Sequence, residues 1–157
     1  ARDLNELTGC AAHLTHIWSG AKEYRDNLNW QYMIELPLKV LDKLEELIKT
    51  NRQRYIGVKG CIYLARDIKK TTGYAAHLRH IWTGARKYKD SLNWKVMIDL
   101  PLKVVDKIEE LVNTNNQRYT GKKGHIKLAR DIMNTGYNAR FDHICNETRK
   151  YLTFICN

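Results

Sequence analysis

Leu36-Pro37-Leu38-Lys39-Val40-Leu41-Asp42-Lys43-Leu44-Glu45-Glu46-Leu47-Ile48-Lys49-Thr50-Asn51 decides the fold class of this chain. Leu38, Val40, Leu41, Leu44, Leu47 and Ile48 recur at helical spacing, and Lys39, Asp42, Lys43, Glu45, Glu46 and Lys49 take the other side. Pro37 suits a helix start, where its missing N–H removes no hydrogen bond. Glu45 stands four residues before Lys49, a favourable pairing, and Thr50-Asn51 supplies a stop. The spacing predicts an amphipathic scaffold helix with its apolar face in a core.

That helix occurs twice. Leu36-Pro37-Leu38-Lys39-Val40 returns as Leu100-Pro101-Leu102-Lys103-Val104, at an offset of 64 residues. Thr8-Gly9-Cys10 through His16-Ile17-Trp18 returns as Thr72-Gly73-Tyr74 through His80-Ile81-Trp82, and Asn29-Trp30 returns as Asn93-Trp94. Lys59-Gly60 through Ala65-Arg66-Asp67-Ile68 returns as Lys123-Gly124 through Ala129-Arg130-Asp131-Ile132. A third copy opens at Thr135-Gly136-Tyr137 and drifts, with His143-Ile144-Cys145 in place of His80-Ile81-Trp82. Ala1-Arg2-Asp3-Leu4 matches Ala65-Arg66-Asp67-Ile68, so the register implies sequence upstream of Ala1. A period of 64 exceeds the roughly 34 to 47 residues of common helical solenoid repeats. Each copy therefore reads as a small domain: a first unit over 1–68, a second over 69–132 and a partial third over 133–157.

Outward from the scaffold helix, Asn51 to Gly60 is basic, carries two glycines and reads as a loop. Ile62, Leu64, Ala65 and Ile68 mark a helix that stops near Thr72-Gly73. Ala75, Ala76, Leu78, Ile81 and Trp82 mark another that stops near Thr83-Gly84. Trp94 to Leu100 fits a helical face, with a short strand as its alternative. The fold class expected is mainly α, two small helical units in tandem plus a partial third. The alternative is α+β with a short strand near Trp30 and Trp94.

Charge narrows the function. The chain has 157 residues, with 27 Lys and Arg against 17 Asp and Glu, a net charge of +10. That balance favours a polyanionic partner: DNA, RNA or an anionic membrane surface. No apolar run approaches the ~18 to 20 residues a membrane-spanning helix needs. No signal-peptide core is visible at the start, so an intracellular or virion setting is expected. Cys10, Cys61, Cys145 and Cys156 form no CxxC pair and do not recur at matching positions, which points to reduced thiols.

Helix, glycine turn, then a helix with His77, Arg79 and His80 on its polar side has the pattern of a helix-turn-helix. A Thr-Gly turn, a helix, Gly84-Ala85-Arg86-Lys87 and then Trp94-Lys95 is similar to the helix-turn-helix repeats of intron-encoded homing nucleases. The likeness covers about half of each unit. Ala65 to Gly73 is longer than the usual spacing, and the Gly-Gly before the aromatic is absent. The resemblance implies DNA contact through Arg79, Arg86 and Lys87; the cleavage domain of such nucleases has no counterpart in this sequence. The repeated turns add Lys22, Arg54 with Lys59, and Arg118 with Lys123 as candidate contacts to nucleic acid.

Other chemistry finds less support. Cys10, His13 and His16 share a helical face suited to zinc, but Tyr74 replaces Cys10 in the second copy, and no fourth ligand is evident. No metal and no cofactor is expected. There is no P-loop, nucleophile elbow or HExxH, so no enzyme activity is expected. Asp67 and Asp131 sit in a repeated Ala-Arg-Asp, where an intra-helical Arg–Asp pair or a surface role is the default. The function expected is DNA binding, in preference to RNA, by basic helical modules. The alternatives are a structural or packaging protein, such as a viral one, and a protein–protein scaffold.

Overall fold

The computed structural model describes residues 1–8, 12–30 and 32–156. Among them the chain is mainly helical and forms no sheet; β pairing is limited to isolated bridges such as His13 with Pro37. In chain order come α1 (Arg2–Thr8), α2 (Leu14–Gly20), a 3-10 turn (Arg25–Leu28), α3 (Leu38–Thr50), α4 (Arg52–Tyr55) and α5 (Gly60–Thr72). Then follow α6 (Leu78–Gly84), α7 (Leu102–Thr114), α8 (Asn116–Tyr119), α9 (Gly124–Asn134) and α10 (Phe141–Cys156). The chain packs into two compact units, Ala1–Trp94 and Lys95–Asn157.

In the first unit α3 turns Leu38, Val40, Leu44 and Ile48 inward, and α5 meets it with Ile62, Leu64, Ala65 and Ile68. Leu41 and Leu47 of the expected apolar face are half-buried. Each fully buried aliphatic side chain contributes roughly 1.5 to 3 kcal/mol before conformational entropy is set against it. The second unit repeats the plan with Leu102, Val104, Val105, Ile108 and Val112 of α7 against Leu128, Ala129 and Ile132 of α9. Both scaffold helices start directly after a proline in extended conformation, Pro37 or Pro101, and both end at Thr-Asn.

Three expectations need correction. Ala75 and Ala76 lie ahead of the helix they are expected to begin, since α6 starts at Leu78 after the His77 cap. Asn51 to Gly60 is not wholly loop: α4, and likewise α8, is a single helical turn. The buried rings of Tyr55 and Tyr119 anchor these turns, a tertiary cause that no local periodicity announces. The loop then closes on a glycine that begins the next helix. A methyl group on Gly60 or Gly124 would collide with the carbonyl of Tyr55 or Tyr119, so the approach requires glycine.

Trp94 to Leu100 is neither helix nor strand through residue 99. Asn93 takes the left-handed conformation at φ 61° and ends the preceding turn, as Asn29 does at φ 58° in the first copy. Pro101 then disfavours helix at Leu100. Side chains of α10 take over the backbone partners: the Asp99 N–H donates to Glu147 Oε2 at 2.8 Å, and the Lys150 ammonium donates to the Met97 carbonyl at 3.5 Å.

Candidate nucleic-acid interface

The helix pair α5–α6 of the first unit holds His77, Arg79 and His80. Gly73, left-handed at φ 76°, caps α5, and residues 74–77 run on to α6. His77 is the N-cap of α6: its Nδ1 accepts from the Arg79 N–H at 3.1 Å, as His13 Nδ1 accepts from Thr15 at 3.2 Å ahead of α2. His80 Nε2 lies 2.6 Å from a Glu35 carboxylate oxygen, which ties α6 to the segment before α3. Leu78 and Ile81 are buried, and Arg79 stands on the exposed side of this seven-residue helix. His13 and His77 thus serve local structure first, as helix caps, and His80 lies against a carboxylate.

Past α6, Gly84 lies close against the scaffold; a methyl group there would sit 2.7 Å from Leu36 Cδ1. The close fit sends the following turn outward with Arg86 and Lys87 exposed. The guanidinium of Arg86 lies over the Tyr32 ring, 3.0 Å from its centre, and the Lys89 ammonium lies 4.7 Å from the centre of the Trp82 ring. Trp82 in turn is 6.1 Å from Trp94. The first copy repeats this arrangement: Arg25 lies 5.1 Å over Trp18, and Trp18 is 6.0 Å from Trp30. An open groove of about 740 Å³ collects Tyr32, Arg86, Lys87 and Lys89 together with Glu45 and Asp90. Glu45 also receives a hydrogen bond from Arg2 at 3.1 Å. The aromatic rings hold the cations in position, an arrangement suited to phosphate oxygens in the groove.

The other candidates lie elsewhere. Lys22 is exposed in the turn after α2, at the repeat position of Arg86. Lys59 and Lys123 occupy the N-cap positions of α5 and α9. Arg54 and Arg118 lie on α4 and α8 and face carboxylates. Arg54 Nε and Nη2 donate to Asp67 at 2.7 and 3.1 Å, and the Tyr55 hydroxyl donates to the same carboxylate at 2.6 Å. Arg118, Tyr119 and Asp131 repeat the arrangement at 2.8, 3.0 and 2.6 Å. Burial works against the Asp67 carboxylate, but hydrogen bonds from Arg54 and Tyr55 outweigh it and hold the group below the ordinary carboxylate range. At Asp131 the Arg118 hydrogen bond is the leading cause of the same shift. Burial, and then the Asp131 hydrogen bond, push the Tyr119 phenol up to about 12. A phosphate contact by Arg54 or Arg118 has to compete with these internal pairs.

Lys89, Arg25 and Tyr32 were not singled out from the sequence. The signal available was the offset of 64, which pairs Arg25 with Lys89 and Trp18 with Trp82. Cys10 of the candidate zinc set lies outside the described residues, and His13 and His16 stand with ring centres 5.5 Å apart. Among the described residues no three His, Cys, Asp or Glu side chains are grouped to hold a metal ion. Cys61 and Cys145 are free thiols, and burial pushes the Cys61 thiol up to about 12, away from nucleophilic use. No protein-family model matches the chain, and no curated protein or solved structure matches it.

Proposed function

We propose that the chain binds nucleic acid without catalysis, duplex DNA in preference to RNA, through cations carried on its repeated helical modules. The observation that carries this reading is the cluster of Arg86, Lys87 and Lys89 beside Tyr32 and Trp82, in a chain of net charge +10. Cations already seated on aromatic rings lose less side-chain freedom on meeting a phosphate. Exposed on a turn, Arg86 and Lys87 reach an anion without a desolvation penalty from the fold. Lys22, Lys59 and Lys123 extend the same chemistry to other turns, and Arg79 faces outward from α6, where a helix-turn-helix places its base-reading residues. Among the described residues no helix is long and apolar enough to cross a membrane.

The salt dependence of affinity tests the proposal. If about six phosphates are neutralised, log affinity for duplex DNA falls against log salt with a slope near −5. Replacing Arg86 and Lys87 together with alanine reduces that slope by roughly one to two. Replacing Arg79 alters sequence preference instead, since a base contact carries about 1 to 3 kcal/mol of discrimination. A slope that stays the same in the Arg86/Lys87 variant would remove the groove from the interface.

A further inference from the structure

One packing interaction recurs along this chain, and in one copy its apolar side faces solvent. In the first unit, Leu78 to Trp94 forms a cover over α3, α4 and α5. Ile81 and Leu92 are fully buried, and Trp94 is 7% exposed. The Trp94 indole donates to the Tyr55 carbonyl at 2.7 Å, and the Gly57 N–H donates to the Leu92 carbonyl at 3.0 Å. Gly84 lets the end of α6 settle against Leu36 and Leu44. In the second unit α10, from the third copy, packs on α9 and buries Ile144, Tyr151 and Phe154. Each group of three scaffold helices in the chain therefore has a cover already.

Residues 12–30 are the first copy of the cover. They match 76–94 at the offset of 64 and take the same conformation: a seven-residue helix capped by histidine, a left-handed asparagine and a paired tryptophan. Burial separates the two copies most clearly. Leu28 is 53% exposed and Trp30 37%, where Leu92 and Trp94 are 0% and 7%. A methyl group on Gly20 would meet nothing within 4 Å, whereas one on Gly84 meets Leu36 at 2.7 Å. The first copy keeps a glycine whose use, in the second copy, is to admit a scaffold helix.

We infer that the apolar face of Leu14 to Trp30 is a docking surface for an additional three-helix repeat unit of the Pro37–Thr72 type. The bound unit presents a Leu-Pro-Leu-Lys-Val helix to Gly20. Its Arg-Tyr turn offers a carbonyl to the Trp30 indole, and its glycine loop offers an N–H to the Leu28 carbonyl. This is the contact of the first unit made again with the same partners. A second copy of the chain is the poorer occupant, because it would have to release α6 or α10 to free a scaffold. The inference is independent of the nucleic-acid proposal.

The test is to extend the chain by placing residues 37–64 ahead of Ala1, so that Leu64 joins Ala1 in the register in which it joins Ala65. A second version uses residues 101–128. In the extended chain, amide hydrogen exchange across 14–30 slows by at least about tenfold, and tryptophan emission shifts to the blue. Gly20→Ala abolishes that protection in the extended chain and leaves the melting point of the present chain unchanged. If neither extension gains helix by circular dichroism and protects 14–30, the inference is overturned. It is equally overturned if the present chain sediments as a dimer in which Leu14 to Trp30 is protected.

Discussion

Asp67 illustrates how a residue is assigned by its fold more than by its neighbours. In sequence it follows Arg66, and a helical Arg–Asp pair or a surface role is the natural expectation. In the structure its carboxylate takes two hydrogen bonds from Arg54, 13 positions earlier, and a third from Tyr55. The spacing was visible twice, as Arg54-Tyr55 to Asp67 and as Arg118-Tyr119 to Asp131. Its meaning depends on α4 and the glycine turn folding the chain back, and neither carries a periodic signal. The shifts set a pH dependence. Both carboxylates titrate lower in the folded chain than the ordinary value near 4. Their stabilisation is therefore full above that value and is lost as pH falls through the folded pKa. Urea midpoints measured from pH 6 down to about pH 2 should fall steeply for the parent chain and less steeply for the Asp67→Asn, Asp131→Asn double variant. Parallel curves would show that these pairs contribute nothing to acid sensitivity.

At the level of elements, the sequence was most legible where one periodicity ran long enough to repeat. α3 and α7 begin after the expected prolines and end at the expected threonines, and α5 and α6 end where Thr72-Gly73 and Thr83-Gly84 suggested. Legibility failed at Trp94 to Leu100, where alternating and helical patterns overlap and the backbone is satisfied by Glu147 and Lys150. The exposed aromatic and leucine side chains of the first copy were equally unreadable, because burial depends on what lies opposite. Packing makes a differential prediction. Leu44→Ala or Ile108→Ala, each at a fully buried position, should destabilise the fold by ~2 to 5 kcal/mol through cavity formation. Leu28→Ala, at a half-exposed position, should cost under about 1 kcal/mol, although Leu92→Ala at the matching position of the second copy should fall in the larger class. Thermal melts of the four variants check this; equal losses at Leu28 and Leu92 would mean the two covers are packed alike.

Over the whole molecule, repeat and compact unit are differently phased. The sequence repeats from one Thr-Gly to the next, but the packing divides at Trp94 and Lys95, after the second copy has contributed its cover to the first unit. Fixed spacing made the repeat plain, and only the tertiary contacts reveal that a folded unit combines the end of one copy with the start of the next. The candidate interface follows from that phase. Arg86, Lys87 and Lys89 belong to the second copy, but the ring and the scaffold helix they meet, Tyr32 and α3, belong to the first. The basic turns were legible as charge; which aromatics seat them was not. Nucleic-acid binding by these modules is measured most directly by titrating the purified chain at low salt with duplex DNA and, in parallel, with RNA. Saturable binding to duplex DNA is expected, tighter than to RNA and weakening as salt is raised. Affinity for both polymers no tighter than about 10⁻⁴ M, the weak end of ordinary non-specific binding, would contradict it.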